Sequence, residues 1–276
     1  MKKILLIISV FIAGISLFGL DIFEYVPLRA DITTYTQTEF SVASKFGKIY
    51  RTPVTKTIHN FNNLGKEVEV TELTPKDALI SKIVSKYNAS GNISEQTYYN
   101  NKQELISKTT YSYNGSLKQE TNEYNQKNEL TQKIIYGYTN GKLTEETGYG
   151  KDGAILWKSI YKYDDKNRIY SITRYSSNGL LDQEETYTYS KTGKIESIST
   201  YDSFTGLTLQ DIFRFEQDGT LSQIATYNDA KQVIKRVMIK YDASGNISKI
   251  SNYSVAQKFG TTVNDLESVL EFAYNK

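Results

Sequence analysis

Large apolar side chains recur along this 276-residue chain at a fixed interval, and tyrosine sets the interval. Tyr99, Tyr124, Tyr149, Tyr175, Tyr201, Tyr227 and Tyr253 follow one another every 25 or 26 residues. A second series keeps step with the first as Tyr111/Tyr113, Tyr136/Tyr138, Tyr161/Tyr163, Tyr187/Tyr189, Phe213/Phe215 and Ile239/Tyr241. Such self-similarity marks a repeat architecture, and two aromatic series per period make each unit two strands. Leu105, Leu130, Ile155, Leu181, Leu207 and Val233 each stand six residues after a clock tyrosine and six before a pair. Side chains alternate faces along a strand, so an even spacing predicts that these residues and the pairs share one face. Ile93 to Tyr99 and Ile169 to Tyr175 are also six apart, whereas Leu117 to Tyr124 is seven, which predicts a bulge near Asn122.

Turn chemistry falls between the strands, in Asn114-Gly115, Asn140-Gly141, Asp152-Gly153, Asn178-Gly179, Thr192-Gly193, Asp218-Gly219 and Ser244-Gly245. Glycine supplies the positive φ that tight hairpins need. Helical spacing of three and four is missing from these segments, and Thr, Tyr, Ile and Val favour strand. The pattern predicts an all-β antiparallel meander of repeated hairpins, about fourteen strands of eight or nine residues over 77–253, in an extended or spiralled sheet. Residues 21–76 read as an N-terminal cap with a worn repeat, His59-Asn60-Phe61 in the paired position and Gly65 at the following turn. Residues 254–276 read as a C-terminal cap strand. Phe40-Ser41-Val42-Ala43-Ser44-Lys45-Phe46-Gly47 is nearly repeated as Tyr253-Ser254-Val255-Ala256-Gln257-Lys258-Phe259-Gly260, which suggests matching caps or a duplicated ligand loop.

Out of phase with the tyrosines runs an apolar stripe of Ile135, Ile160, Ile172, Ile198, Ile212, Ile224, Met238 and Ile250. Counted from the nearest tyrosine marker, each points away from the tyrosine face. Contiguous apolar surface marks an interface, so Ile172, Ile198, Ile212, Ile224, Met238 and Ile250 form the candidate interface. Two other accounts stay open: burial under residues 21–50, through Ile22, Phe23, Tyr25, Val26, Leu28 and Phe40, or stripe against stripe in a sandwich.

The N-terminus changes the picture from fold to compartment. Lys2 and Lys3 precede an uncharged run from Ile4 to Leu20, so residues 1–20 read as an export signal cleaved after Gly19 or Leu20. The alternative is an uncleaved anchor. Losing Lys2 and Lys3 from 33 basic residues leaves 31 against 31 acidic ones, a neutral mature chain without a nucleic-acid-binding field. With no cysteine there is neither disulfide nor thiolate metal site.

Candidate chemistry is sparse. His59 is the only histidine, which limits metal clusters and Ser-His-Asp triads to that one residue, and its aromatic slot points to packing. Glu184-Glu185 and Asp164-Asp165 are neighbours on a strand and face opposite ways, which spoils an acid/base pair. Asp164-Asp165-Lys166-Asn167 lacks the following Gly and Glu of a calcium loop and reads as a turn. No phosphate-binding glycine loop is present. No catalytic residue, metal or cofactor is expected.

Ile239-Lys240-Tyr241-Asp242-Ala243-Ser244-Gly245-Asn246-Ile247, Tyr161-Lys162-Tyr163-Asp164-Asp165-Lys166-Asn167-Arg168-Ile169 and Tyr187-Thr188-Tyr189-Ser190-Lys191-Thr192-Gly193-Lys194-Ile195 resemble the tyrosine-aspartate repeats of bacterial RHS proteins. The resemblance covers about residues 77–253 and implies hairpin spirals that wrap into a shell or form stalks. Asp follows the pair only at Asp164 and Asp242, and 254–276 is too short for an enclosed cargo domain. The expected function is an exported, non-catalytic scaffold or binding module, periplasmic, surface-bound or secreted, with a protein or glycan partner and membrane contact only through an uncleaved signal. The alternatives are a carbohydrate- or lipid-binding carrier, an outer-membrane β-barrel, or a hydrolase. Against the barrel stand Glu185, Asp211 and Lys249 on the tyrosine face, and Lys158, Glu184 and Arg236 on the other.

Overall fold

The structure is a computed structural model that describes residues 16–17, 20–26, 28, 32–258 and 260–275. The expected export signal lies outside the described residues except for Ser16–Leu17 and Leu20, which belong to a short antiparallel pairing of Ser16–Leu17 with Leu20–Asp21. A single helical turn, α1 (Ile22–Tyr25), follows.

Eighteen strands then succeed one another as hairpins: β1 (Thr34–Lys45), β2 (Lys48–Phe61), β3 (Glu67–Leu73), β4 (Leu79–Tyr87), β5 (Ile93–Asn100), β6 (Leu105–Asn114), β7 (Leu117–Asn125), β8 (Leu130–Thr139) and β9 (Lys142–Gly150). The second half comprises β10 (Ile155–Tyr163), β11 (Ile169–Ser176), β12 (Leu181–Tyr189), β13 (Ile195–Asp202), β14 (Leu207–Phe215), β15 (Leu221–Tyr227), β16 (Val233–Tyr241), β17 (Ile247–Lys258) and β18 (Thr261–Asn275). All pairings are antiparallel between sequence neighbours, and β18 closes the ring on β1 through Val269↔Phe40 to Asn275↔Thr34. The fourteen strands expected over 77–253 are β4–β17. The sheet is neither extended nor spiralled but a closed barrel. The expected caps are staves: β18 pairs with β1 from Ser268↔Ser41 to Asn275↔Thr34, so the barrel wall has no edge strand there.

Most hairpin turns share one geometry. Asp164 N–H donates to the Arg168 carbonyl (2.9 Å), Asn167 N–H to the Asp164 carbonyl (3.1 Å), and Asp164 Oδ1 accepts from the backbone N–H of Lys166 and Arg168. Asn167 sits there at φ 64°, where Gly193 (87°), Gly219 (88°), Gln103 (62°) and Lys231 (58°) sit in their own turns. Glycine is therefore favoured at this place and not required. Asp164-Asp165-Lys166-Asn167 is a turn, with Asp164 bound by the Arg168 guanidinium at 2.6 Å.

Most hairpins also carry a one-residue shift beside a turn. Tyr163 pairs with Ile169 while Lys162 pairs with Ser171, leaving Tyr170 as the extra residue. The extra residue swaps faces for everything beyond it. Consequently the paired aromatics and the clock tyrosines point opposite ways, which overturns the shared face expected from even spacing. In the middle of the strands Tyr98, Tyr111, Tyr136, Tyr161 and Tyr187 point into the barrel. Tyr99, Tyr124, Tyr149, Tyr175, Tyr201, Tyr227 and Tyr253 point outward near one rim. The bulge expected near Asn122 lies instead at Gln119, where Tyr113 pairs with Lys118 and Ser112 with Glu120.

The stripe divides for the same reason. Ile172, Ile198, Ile224 and Ile250 face the lumen, and Ile135, Ile160, Ile212 and Met238 face outward. Ile198, Ile224 and Ile250 pack with Ile22, Phe213, Val237, Ile239 and Leu270 in the main core. A round ring of eighteen strands at about 4.8 Å spacing is about 28 Å across, too wide for opposite walls to meet. The segment from Ile22 fills part of that gap: Ile22 is fully buried, Tyr25 packs on Phe213 with ring centroids 5.0 Å apart, and Phe23 meets Tyr35 and Phe272. Each aliphatic side chain so buried contributes about 1.5–3 kcal/mol.

At five of the paired positions the second aromatic ties hairpin to hairpin. Tyr87, Tyr138, Tyr163, Tyr189 and Tyr241 donate their hydroxyls to the carbonyls of Glu67, Lys118, Leu143, Ile169 and Leu221, each 20 residues earlier, at 2.6–2.8 Å. Basic residues brace the same rings from the preceding hairpin: Lys142 over Tyr163, Arg168 over Tyr189 (4.2 Å) and Lys194 over Phe215. These contacts run across two strands and explain why the period is kept so strictly.

Candidate functional site

One half of the lumen is polar, its side chains buried or half-buried. Along it Tyr111 donates to Gln96 Oε1 (2.6 Å), Gln96 Nε2 donates to Ser85 Oγ (3.3 Å), and the Tyr136 hydroxyl bonds Thr121 (3.0 Å). Further round, Tyr187 donates to Glu185 Oε2 (2.5 Å), Gln183 Nε2 to Glu185 Oε1 (2.9 Å) and Thr226 to Asp211 Oδ1 (2.5 Å). The belt has one tyrosine per hairpin with a carboxylate on neighbouring strands at Glu123, Glu146, Glu185 and Asp211.

Burial disfavours charge at several places in this belt. It raises the pKa of Glu123, Glu146 and Asp211 from the ordinary carboxylate value, with the Tyr161 hydroxyl, Lys118 and Arg174 opposing it at Glu146 and Thr226 and Lys235 opposing it at Asp211. It pushes the Tyr98 and Tyr136 hydroxyls up to about 12 and raises those of Tyr111, Tyr161 and Tyr187 as well. Lys118, set between the rings of Tyr111 and Tyr136 at 5.3 and 5.2 Å, is lowered by the same cause.

Two cavities open along this wall. The first, about 230 Å³, is lined by Glu146, Trp157, Ser159, Tyr161, Ile172, Arg174, Gln183 and Glu185, all lumen-facing residues of β9 to β12. Trp157 lies flat over Gly148 of the next strand, where an added Cβ would stand 2.4 Å from the indole. Glycine inside a strand marks such a close approach. The Arg174 guanidinium lies 4.6 Å from the Trp157 ring centre, and its Nε, 3.5 Å from Asp182, completes no hydrogen bond. The pocket thus combines an aromatic wall, donors from Arg174, Gln183 and Tyr161, and acceptors from Glu146 and Glu185.

The second cavity, about 640 Å³, is lined by Tyr25, Ile169, Ile172, Tyr187, Tyr189, Lys194, Ile195, Phe215 and Gly219. It is mainly aromatic and aliphatic, is walled on one side by α1, and shares Ile172 with the first.

Of the candidate interface residues, Ile172 lines both cavities, Ile198, Ile224 and Ile250 are core, and only Ile212 and Met238 reach the outer surface. His59 is buried, stacked on Tyr35 (4.1 Å) and bound through Nδ1 to Glu67 (2.6 Å). No group of three or more metal-binding side chains occurs among the described residues. Sequence reasoning passed over Trp157, Glu146 and Arg174. The available signal was the chain's single tryptophan next to a mid-strand glycine on the preceding strand.

No family model and no curated protein matches the chain. Among solved structures the chain is similar to a porin-like protein from Bacteroides uniformis, with 10% identity over 88% of this chain and 98% of that one and a TM-score of 0.48. A porin-like protein from Bacteroides vulgatus gives 10% identity over 77% and 99%, with a TM-score of 0.41. A chain of the Photorhabdus luminescens Tc holotoxin pore gives 10% over 83% and 18%, with a TM-score of 0.29. At these values the likenesses leave the family and ligand of this chain to its own geometry.

Proposed function

We propose that this chain is an exported, water-facing β-barrel that binds an amphiphile in its lumen and carries out no chemistry on it. The observation behind this reading is the pair of adjoining cavities of opposite character that meet at Ile172. A hydroxyl-rich head, a sugar for example, suits the smaller one. Hydroxyls both donate and accept, which matches Arg174 and Gln183 beside Glu146 and Glu185, and the apolar face of a sugar ring packs on an aromatic wall. An alkyl or similarly apolar body suits the larger cavity between Tyr187, Phe215 and α1.

The outer surface supports a water-facing barrel. Lys82–Glu69 (2.5 Å), Lys86–Glu95 (2.7 Å), Lys133–Glu120 (3.6 Å) and Lys158–Glu145 (2.8 Å) pair across it, and Glu184, Arg236 and Lys249 also point outward. A lipid-facing band would be apolar over about 25 Å, and Lys or Arg at its middle costs about 2–4 kcal/mol each. Glu185 and Asp211 bear on neither case, because they face the lumen.

The single tryptophan provides the test. An alkyl glucoside kept below its micelle concentration is expected to change Trp157 emission saturably, with free glucose and a short fatty alcohol each at least tenfold weaker. No saturable change with any of the three sinks the reading. A second reading, an outer-membrane barrel, draws on ring closure and on the outward tyrosines near one rim. It predicts ion conductance across a planar bilayer, which the water-facing barrel does not.

A further inference from the structure

The barrel seam carries two projecting arms. From Val42↔Arg51 to Lys45↔Lys48, β1 and β2 pair only with each other, because β18 stops at Ser268↔Ser41 and β3 starts at Lys56↔Leu73. Beside it, Val255↔Asn264 to Lys258↔Thr261 forms a second two-stranded arm, because β16 stops at Lys235↔Ser254. The nearly repeated segments of the sequence are the outgoing strands of these two arms. At about 3.3 Å per residue the first arm reaches about 15 Å beyond the last three-stranded rung.

The first arm is apolar on both of its faces. Phe46 at the tip is fully exposed, and the adjacent Ile49 and Tyr50, which point to opposite faces, are 62% and 51% exposed. Phe204, Leu180 and Leu207 stand exposed at or beside turns on this same rim, just past the outward clock tyrosines. From residue 42 to residue 51 the arm has three basic residues and no acidic one; Arg51 is held by Glu271 (2.6 Å), while Lys45 and Lys48 are exposed beside the tip.

We infer that the first arm and this rim dock the barrel on an anionic lipid surface. A protein partner covers one face of a hairpin, whereas a headgroup layer surrounds both, and Phe46, Ile49 and Tyr50 need cover on both. Lys45 and Lys48 supply the matching charge, since basic residues are drawn to an anionic surface. The unpaired backbone along the arm edges keeps it at headgroup depth, since such groups are costly in hydrocarbon. The inference is independent of what the lumen binds.

Sedimentation of the mature chain with phosphatidylcholine vesicles, with and without about 30% phosphatidylglycerol, tests it. Binding is expected only with the anionic lipid and should weaken with salt. It should fall at least tenfold in both F46S/I49S and K45E/K48E, with the melting temperature of each variant unchanged. Binding that survives both variants, or no binding to anionic vesicles, overturns the inference. So does retention through an alkaline carbonate wash, which would indicate a spanning barrel, or a concentration-dependent dimer lost in F46S/I49S, which would assign the surface to a second copy.

Discussion

Gly148 and Trp157 show how one missing methyl group shapes the lumen. Any side chain at 148 would enter the space of the indole, since the Cβ itself would lie 2.4 Å from two of its atoms. Gly148→Ala is expected to destabilise the barrel by about 1–3 kcal/mol through overpacking, measured as a shift of the urea midpoint. Trp157→Ala removes the clash, so the double variant should be less destabilised than the two single effects added together. Additive effects would show that the ring does not rest on Gly148. At this scale the sequence was legible where residues repeat and opaque where they do not. Tyr138, Tyr163, Tyr189 and Tyr241 are each bound to a carbonyl 20 residues back, a contact that repeats with the period, whereas Trp157 and Arg174 occur once in the pattern and form the pocket. The strict series is structural framework, and the departures from it build the site.

Within 77–253, strand number and length followed from alternation, and glycine marked many but not all of the turns. Facing did not follow. The extra residue of each bulge, Tyr170 or Gln119 for instance, has no distinctive chemistry, so counting six from Ile169 to Tyr175 crossed a face unseen. Most hairpins contain such a shift, and that is why a stripe that looks continuous in sequence divides into a core half and a surface half. Ile198 and Ile212 separate the two. Ile198→Lys places an amine among Ile22, Phe213 and Ile224 and is expected to cost about 3–5 kcal/mol. Ile212→Lys points to water and should stay within about 1 kcal/mol. Thermal unfolding of both distinguishes them, and equal losses would refute the facing derived from the register.

Closure of the ring was the least legible property, since fourteen or eighteen antiparallel strands have the same local pattern whether or not their ends meet. Closure makes an inside, and burial there raises the pKa of three carboxyl groups. Glu123, Glu146 and Asp211 are raised by burial, so between their unfolded and folded values the native state holds more protons than the unfolded one. Their contribution to stability is complete below the ordinary carboxylate range and is lost as pH rises through the raised values. Asp164, Asp202 and Asp218 act in the opposite sense. Backbone N–H groups of their turns lower them, so their contribution is present above the ordinary range and lost as pH falls through the lowered values. The two sets together place greatest stability in mild acid, with a decline toward neutrality of at most about 1.4 kcal/mol per pH unit for each buried carboxylate. Melting temperatures taken across this range check it. The triple variant E123Q/E146Q/D211N should remove the decline on the neutral side and keep the acid limb set by the turn aspartates. If the variant still loses stability between mild acid and neutral pH, the buried belt is not its source.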